Sequence, residues 1–305
     1  MKGTTKLRKP INWNRVAFMA AAFLFPFFNF FVFYVYTGIE DFGIAFRDPV
    51  TKVFTLENFN YFFTALREPG SEVFFAVSNS LLFFLFSLFM LFANFVMGFF
   101  LYKKIFMYKI FRIIYYMPVV LSGVIMTAIF MEFIKPNGPL GAICGTFGIT
   151  LPDVGLLNNK NTALLMCFVY SFWVGFTDDQ LLFAGAFGRI PGEVLESARL
   201  DGCPPMTEAL KIIFPLLWPT FSTMLILKCT GILGGGGVVQ LLTGGEYGTM
   251  TISYWMFKQL YGGGSASGYR AYGTLNAAAL VCSCITVPLI LITKRITEKI
   301  PPVEY

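Results

Sequence analysis

The side chains best able to take part in chemistry lie in a charged stretch between two apolar segments, residues 190–219. Glu193 and Glu196 come early in it, and an Asp201-Gly202 pair follows them. The whole chain contains no His, which excludes Ser-His-Asp triads, imidazole proton relays and His-based metal sites. The chemistry left to this stretch is recognition, because acidic groups beside a tight turn are suited to contact another protein.

The same stretch predicts two short helices joined by a turn. Pro191 can begin a helix, because its missing N–H would be unpaired there anyway, and the two early glutamates lie where the helix dipole favours anions. Gly202 permits a turn closed to other residues, and Pro204-Pro205 restart the chain. One apolar side is expected from Val194, Leu195, Ala198 and Leu200. The alternative is an ordinary amphipathic connection resting at a membrane interface.

Composition places the rest of the chain in a membrane. Of 305 residues, 56% are hydrophobic and 13% charged, against about 25% charged in soluble domains. Mean hydropathy is +0.67. The net charge of +6 does not indicate nucleic-acid binding, because Lys and Arg lie at segment ends rather than along one stripe. The six Cys form no CxxC pair and are interpreted as small packing residues rather than a disulfide framework.

The elements that must position the charged stretch are six apolar segments. A membrane span needs about 20 residues. Suitable segments lie at 16–38, 73–102, 113–131, 162–188, 212–239 and 271–293. The first is interpreted as a retained helix rather than a cleaved signal peptide, because its apolar run is long and no clear A-x-A site follows. The chain is therefore predicted to be an all-α membrane protein with six transmembrane helices.

Positive charge predicts the orientation of those helices. Lys103, Lys104, Lys109 and Arg112 occur in the second connection without an acidic residue, and both tails are also rich in Lys and Arg. The positive-inside rule then places both termini in the cytoplasm. The stretch at 190–219 falls on that same side, where ATP is found.

The pattern of the charged stretch resembles that of a known family. The relevant residues are Ile190-Pro191, Glu196-Ser197-Ala198, Asp201-Gly202 and Ile213-Phe214-Pro215. They resemble the EAA loop of the membrane subunits of binding-protein-dependent ABC importers. Ser197 and Cys203 stand where Ala is usual in that family, but both are small, so the helix packing should survive.

The resemblance extends over roughly 73–297 and is closest to carbohydrate-type permeases, such as those of maltose and glycerol-phosphate importers. It rests further on Asn79, Ser80, Trp173, the Leu241-Leu242-Thr243-Gly244-Gly245 run, Thr249, Thr251 and Tyr254. The implied organisation is type I ABC importer permease-like. Residues 1–72 form the N-terminal tail, first helix and a small external loop, 73–297 the transmembrane domain with its coupling loop at 190–215, and 298–305 a cytoplasmic tail.

The resemblance implies a permease subunit in a bacterial inner membrane that forms part of the path for a sugar or oligosaccharide. Implied partners are a second permease subunit, two ABC ATPase subunits and an extracytoplasmic binding protein. The chain is not expected to be an enzyme or to hold a cofactor, since it lacks the G-x-x-x-x-G-K-[ST] motif, and ATP and Mg would be bound by partners. The residues expected to couple to the ATPase are Glu196, Ser197, Ala198, Arg199, Asp201 and Gly202.

Three charges inside the apolar segments could line the solute path. Asp178 and Asp179 interrupt the fourth segment, and Lys228 interrupts the fifth. A charge in mid-span costs about 2.5–3.5 kcal/mol, so it usually faces a cavity or a partner. Asp178 and Lys228 could pair and hydrogen-bond sugar hydroxyls. Alternatively, they form a structural ion pair between packed helices or lie at span ends at the membrane interface. Trp173 could cover a sugar ring, although an aromatic side chain in a span more often packs.

Other functions remain open at this point. A stand-alone secondary transporter or channel would use membrane carboxylates as ion sites, which Asp178 and Asp179 permit, but it would leave the coupling loop unexplained. An integral membrane enzyme is disfavoured by the absence of His and of a convincing nucleophile–base pair. A scaffold that anchors other proteins is the remaining class.

Overall fold

A computed structural model describes residues 13–48, 51–177, 179–262 and 269–301. The regular secondary structure of these residues is helical, apart from an isolated antiparallel bridge between Arg47 and Phe54. The all-α prediction is confirmed for them. In chain order the helices are α1 Trp13–Ala45, α2 Glu57–Arg67, α3 Glu72–Tyr102, α4 Tyr108–Val120, α5 Gly123–Ile134, α6 Pro139–Thr146, α7 Ala163–Gly175, α8 Gln180–Phe187, α9 Gly192–Leu200, α10 Pro205–Leu216, α11 Trp218–Thr230, α12 Gly236–Leu242, α13 Ile252–Tyr261 and α14 Tyr269–Thr297.

Three helices are long and apolar enough to cross a membrane unbroken: α1, α3 and most of α14. Two further stretches qualify only as bent pairs, at 111° between α4 and the α5–α6 segment and at 80° between α10 and α11. The described residues therefore give three spans, or up to five if each bent pair counts as one. The six segments expected from hydropathy are interrupted more often than predicted.

The interruptions have local causes. Ser122 begins α5 by accepting a hydrogen bond from the Ile125 N–H at 3.3 Å, which starts a new helix inside the third predicted segment. The fourth segment is divided between α7 and α8. The fifth ends at Thr230, and Gly235 then adopts a left-handed backbone at φ +86° before α12 begins.

Helix α1 lies at the edge of the molecule. No residue of Trp13–Phe30 is buried, and the helix meets the rest of the chain near its C-terminal end, where Asn58 donates hydrogen bonds to the carbonyls of Ala45 and Arg47, each at 3.0 Å. A helix that is apolar on every side needs an apolar surrounding. Lipid or another apolar protein surface must therefore cover α1.

The largest core is aromatic and lies under the charged stretch. Phe95 is fully buried in α3, with ring centroids 5.9 Å from those of Phe183 and Phe187 and 6.2 Å from that of Phe221. Helices α8 and α11 contribute those rings, so the core fixes three helices against one another. Residues on both arms of the charged stretch belong to the same core, namely Ile190, Ala209 and Ile213.

Polar contacts define the two ends of the bundle. At one end, which we call the loop end, Lys103 pairs with Glu208, and the Trp218 indole donates to the Thr297 carbonyl at 3.1 Å. The connection after α3, the charged stretch and the C-terminal end of α14 are therefore on the same side. At the opposite end, Lys258 lies 3.6 Å from Glu72 and 3.5 Å from a second carboxylate, that of Glu246.

Candidate functional site

The charged stretch forms the predicted helix, turn and helix. Helix α9 ends at Leu200, and Gly202 follows with a φ of +65°. The N–H of Gly202 donates to the Arg199 carbonyl at 3.1 Å, and the N–H of Cys203 donates to the Ala198 carbonyl at 3.0 Å. These two bonds make a Schellman turn, which needs a left-handed residue at this position. A Cβ on Gly202 would meet nothing within 4 Å, so glycine is required by the backbone and not by lack of space.

The predicted coupling residues divide between two faces of α9. Ala198 is buried, and Val194 and Leu195 pack on the aromatic core. Glu196, Ser197, Arg199 and Asp201 are exposed and face away from the chain's own core. Leu200 is 89% exposed, so its expected place on the buried side is wrong, because successive residues of a helix differ by about 100° and Leu200 points well away from Ala198.

A shallow depression lies beside α9, where its exposed and buried faces meet. It is lined by Glu193, Val194, Ser197, Ala198, Asp201 and Ile212. Its lining includes two carboxylates, and Val194, Ala198 and Ile212 supply apolar surface. That combination suits a protein partner that presents an apolar side chain with basic residues around it.

A buried polar cluster lies among the apolar helices. Asp179 Oδ2 is 3.1 Å from Lys228 Nζ and accepts a hydrogen bond from Asn94 Nδ2 at 3.2 Å. The Asn94 side chain also donates to the Gly175 carbonyl at 2.9 Å, and the backbone carbonyl of Asn94 accepts from Gln180 Nε2 at 2.9 Å. Among the described residues, the carboxylate paired with Lys228 is thus Asp179, whereas the sequence analysis pairs Lys228 with Asp178. Asp178 lies outside the described residues.

The cluster also explains how the break between α7 and α8 is tolerated. Backbone groups released from a helix at membrane depth must find partners within the protein. Asn94 satisfies the Gly175 carbonyl at the end of α7. Thr177, within the break, is tied to α4 by its hydroxyl, which donates to the Tyr115 carbonyl at 2.6 Å. The side chain that holds the acid in place therefore also holds the broken helix.

A cavity of about 240 Å³ adjoins the Lys228 side of this cluster. Phe83, Phe86 and Tyr170 supply aromatic surface, whereas Ser87 and Ser171 supply hydroxyl groups. Of the described residues that line the cavity, Lys228 alone carries a charge. Aromatic faces with a few hydroxyls and one fixed charge are a suitable lining for a polyhydroxylated solute.

Glycines shape the wall of that cavity, and Trp173 does not. Gly231 and Gly235 line it, and a Cβ on Gly235 would lie 3.0 Å from the Phe83 ring. Trp173 is instead placed against Phe130 and Tyr170, with ring centroids 6.2 and 6.3 Å away. Its position favours packing over contact with a bound solute in this cavity.

The remaining motif residues meet at the opposite end of the bundle. Asn79 Nδ2 donates to the carbonyls of Gly248 and Met250 at 2.8 and 2.9 Å, and Ser80 Oγ accepts from the Ile252 N–H at 2.9 Å. The Asn-Ser pair of α3 thus holds the segment between α12 and α13. We call this contact the outer clamp.

Comparison with known proteins identifies the family. The model of the binding-protein-dependent transport system inner membrane component matches residues 80–302. The chain belongs to this family. The matched residues include the loop, the polar cluster and the cavity, which makes the chain an inner membrane component of a binding-protein-dependent transport system.

Several relatives in the family are sugar permeases by name. The chain is 26% identical over 189 residues to the multiple sugar-binding transport system permease protein MsmF of Streptococcus mutans, covering 62% of this chain and 63% of that protein. It is 30% identical over 184 residues to the diacetylchitobiose uptake system permease protein NgcF of Streptomyces coelicolor, covering 56% and 52%. The chain thus spans about half to two thirds of the length of these relatives.

The fold is that of a chain in a bacterial ABC transporter involved in the import of the acidic polysaccharide alginate. The TM-score is 0.78 at 19% identity, over 94% of this chain and 98% of that chain. The same transporter in complex with alginate pentasaccharide-bound periplasmic protein matches with the same TM-score. At this identity the likeness shows the architecture of the family member and not its solute.

Two parts of the site were not predicted from the sequence: the role of Asn94 and the Lys103–Glu208 pair. Asn94 lies in a segment interpreted only as uncharged and apolar, although an amide inside such a segment is a signal that a polar partner is near. Glu208, which is 1% exposed, has no role in the sequence analysis, and its contact with Lys103 is not predicted there. The charge of Lys103 had been used for topology alone.

Proposed function

We propose that this chain is the permease subunit of an ATP-driven importer and forms part of the path for a sugar or oligosaccharide. The observation that carries the proposal is the coupling loop. Its Schellman turn fixes an exposed helix face, and its two arms, through Ile190 and Ile213, are embedded in the aromatic core. A force applied to that face therefore reaches α3, α8 and α11 through packed side chains.

The proposed topology has six membrane spans, with both termini in the cytoplasm. The three continuous helices, the two bent pairs and the broken pair α7–α8 would make six crossings. The loop end carries the coupling loop and the lysine-rich connection after α3, so the positive-inside rule assigns this end to the cytoplasm. ATP-hydrolysing partners would then reach the loop directly.

The proposed partners are a second permease subunit, two ABC ATPase subunits that bind ATP and Mg, and an extracytoplasmic solute-binding protein. Two surfaces support this assembly. The exposed side of α9 offers Glu196, Arg199 and Leu200 to an ATPase. Helix α1 is apolar and uncovered along Trp13–Phe30, which suits contact with a second membrane subunit or with lipid.

The proposed solute path passes the cavity beside Lys228. Asp179 neutralises Lys228 there, so the ammonium can donate to a hydroxyl without adding net charge to the membrane interior. Asp178, adjacent in sequence, stays a candidate for the same path. Trp173 stays a candidate only for a part of the path outside this cavity, because it packs on Phe130 and Tyr170. Loss of uptake in Asp178→Asn or Lys228→Met with ATPase recruitment intact is the expected result, and unchanged uptake and affinity would remove these residues from the path.

The direct experiment is co-purification of the tagged chain, followed by ATP hydrolysis in liposomes with the co-purified binding protein and a panel of sugars. We expect Glu196→Ala to lower ATPase recruitment about tenfold, equivalent to about 1.4 kcal/mol. Glu57→Ala is the matched control, because Glu57, like Glu196, is an exposed glutamate of a short helix but lies outside the loop. A chain that never recruits an ATPase contradicts the proposal.

The stand-alone transporter is less well supported. It needs a membrane carboxylate free to bind and release an ion, whereas Asp179 is occupied by Lys228 and Asn94. Uptake that persists in ATP-free liposomes under an ion gradient would favour this alternative over the importer.

A further inference from the structure

The loop end contains a charged pair that the coupling residues do not include. Glu208 begins a π-helical turn, Glu208–Ile213, just after the Schellman turn at Gly202, which we call the coupling turn. The Glu208 side chain is 1% exposed. It pairs with Lys103, whose side chain is 16% exposed. The second oxygen of the carboxylate, Oε1, is buried without a hydrogen-bond partner in the structure.

Each member of the pair is attached firmly to a different element. The Lys103 N–H donates to the Phe99 carbonyl at 2.9 Å, so Lys103 continues the last turn of α3, and its ammonium lies 5.5 Å from the Phe99 ring centroid. The Glu208 N–H donates to the Pro204 carbonyl at 2.9 Å, directly after the coupling turn. The pair therefore joins the end of α3 to the coupling loop.

A buried ion pair resists separation in a way that apolar packing does not. The same elements also share apolar packing, since Phe99 of α3 and Ala209 and Ile213 of the loop belong to the aromatic core. Close packing transmits a push between these elements, but the hydrophobic effect is non-directional and does not tie one atom to another when the elements are pulled apart. Separating Lys103 from Glu208 would leave an uncompensated charge away from water, which is strongly unfavourable.

Helix α3 connects this pair to the other functional parts of the molecule. Asn94 of the polar cluster, Phe83 of the cavity wall and Asn79 of the outer clamp all lie on this helix. The distance from Lys103 to Asn79 is about 36 Å at 1.5 Å per residue. A displacement at one end of a continuous helix therefore moves the clamp at the other.

We propose that the Lys103–Glu208 pair is a strut that transmits movement of the coupling loop through α3 to the outer clamp. Lys103 and Glu208 act as positioning residues, because neither lies among the exposed coupling residues nor lines the cavity. The proposal rests on the proposed function, since the movement is supplied by an ATPase bound to the loop. It adds the route by which that movement crosses the membrane.

The test follows amide hydrogen exchange of residues 243–251, which the clamp holds, in the complex co-purified with its ATPase. Exchange is compared with and without ATP and vanadate, so that no solute is needed. We expect ATP to change exchange at 243–251 in the parent complex. The change should fall at least twofold in Lys103→Met and in Glu208→Gln, while ATP hydrolysis stays within about twofold, and it should return in Lys103→Glu/Glu208→Lys.

Lys104→Met is the matched control. It removes one positive charge from the same connection, so any effect on topology is shared with Lys103→Met, but Lys104 is exposed. An ATP-dependent change equal in the single variants and this control would overturn the strut, as would a parent complex with no change at 243–251.

Whether the variants assemble with the ATPase distinguishes the remaining outcomes of the test. If the single variants do not assemble, the charge-swapped pair decides: an assembled swap that restores the exchange change supports the strut, and an assembled swap without it contradicts it. A swap that also fails to assemble would show that the pair only holds the fold together, against the proposal. A parent chain that recruits no ATPase would instead be a failure of the proposed function.

Discussion

The aromatic core under the coupling loop and the cavity beside Lys228 differ in packing and in backbone continuity, although both use α3. In the core, Phe95, Phe99 and Phe187 are at most 1% exposed and interlock with neighbours on three helices. Around the cavity, α7 is broken from α8, and glycines separate α11 from α12. The core is continuous packing, whereas the cavity wall is interrupted backbone held by a few polar bonds.

This difference assigns the two regions different mechanical roles. A close-packed interior transmits strain because its side chains have no room to yield. A wall made of helix ends and glycines can change shape at lower cost, since each segment moves against a few hydrogen bonds. The loop end is therefore suited to carry force, and the cavity is suited to open and close around a solute.

The largest expected effect comes from removing a ring in the core. Phe95→Ala should destabilise the protein by about 3–5 kcal/mol, because it leaves a void among rings that cannot collapse. Phe92→Ala is the matched control on the same helix, since Phe92 is 43% exposed. The apparent Tm in detergent measures both. Equal losses of Tm would show that the core is no more tightly packed than the outer surface of α3.

A smaller loss of stability is expected in the polar cluster, because the substitution there breaks an ion pair and leaves no void. Asp179→Asn should cost about 3 kcal/mol, because it keeps the shape of the side chain but leaves the Lys228 ammonium without its carboxylate. Lys228→Met should cost a similar amount for the converse reason. The double variant should regain more than half of the summed loss in Tm, and strictly additive losses would contradict a coupled pair.

The contrast between core and cavity also explains which features could be predicted from the sequence. The coupling turn is local: Pro191, Gly202 and Pro204-Pro205 determine it within a few residues, so its shape follows from residue types alone. Charge placement similarly indicated that the connection after α3 and the coupling loop share one side. The Lys103–Glu208 contact is in accord with that grouping.

The polar cluster and the helix breaks could not be predicted in the same way. Asn94 and Asp179 are 85 residues apart in the chain, so their contact depends on how α3 packs against the break after α7. Hydropathy counts a broken apolar segment as a span, because it measures composition and not the path of the backbone. It therefore predicted six transmembrane helices, where the described residues give three continuous candidate spans and two bent pairs.

The smallest expected effect on stability is in the coupling turn, and it separates shape from function most sharply. Gly202→Ala places a Cβ on a residue at φ +65°, which costs about 1–2 kcal/mol, yet the space around it is open, so the core beneath should stay intact. Gly192→Ala is the control, because Gly192 also has open space but no positive φ. We expect the Tm to fall slightly in Gly202→Ala and ATPase recruitment to fall about tenfold, with neither changed in Gly192→Ala. Recruitment that survives in Gly202→Ala would mean that the left-handed turn shapes the loop without shaping the docking face.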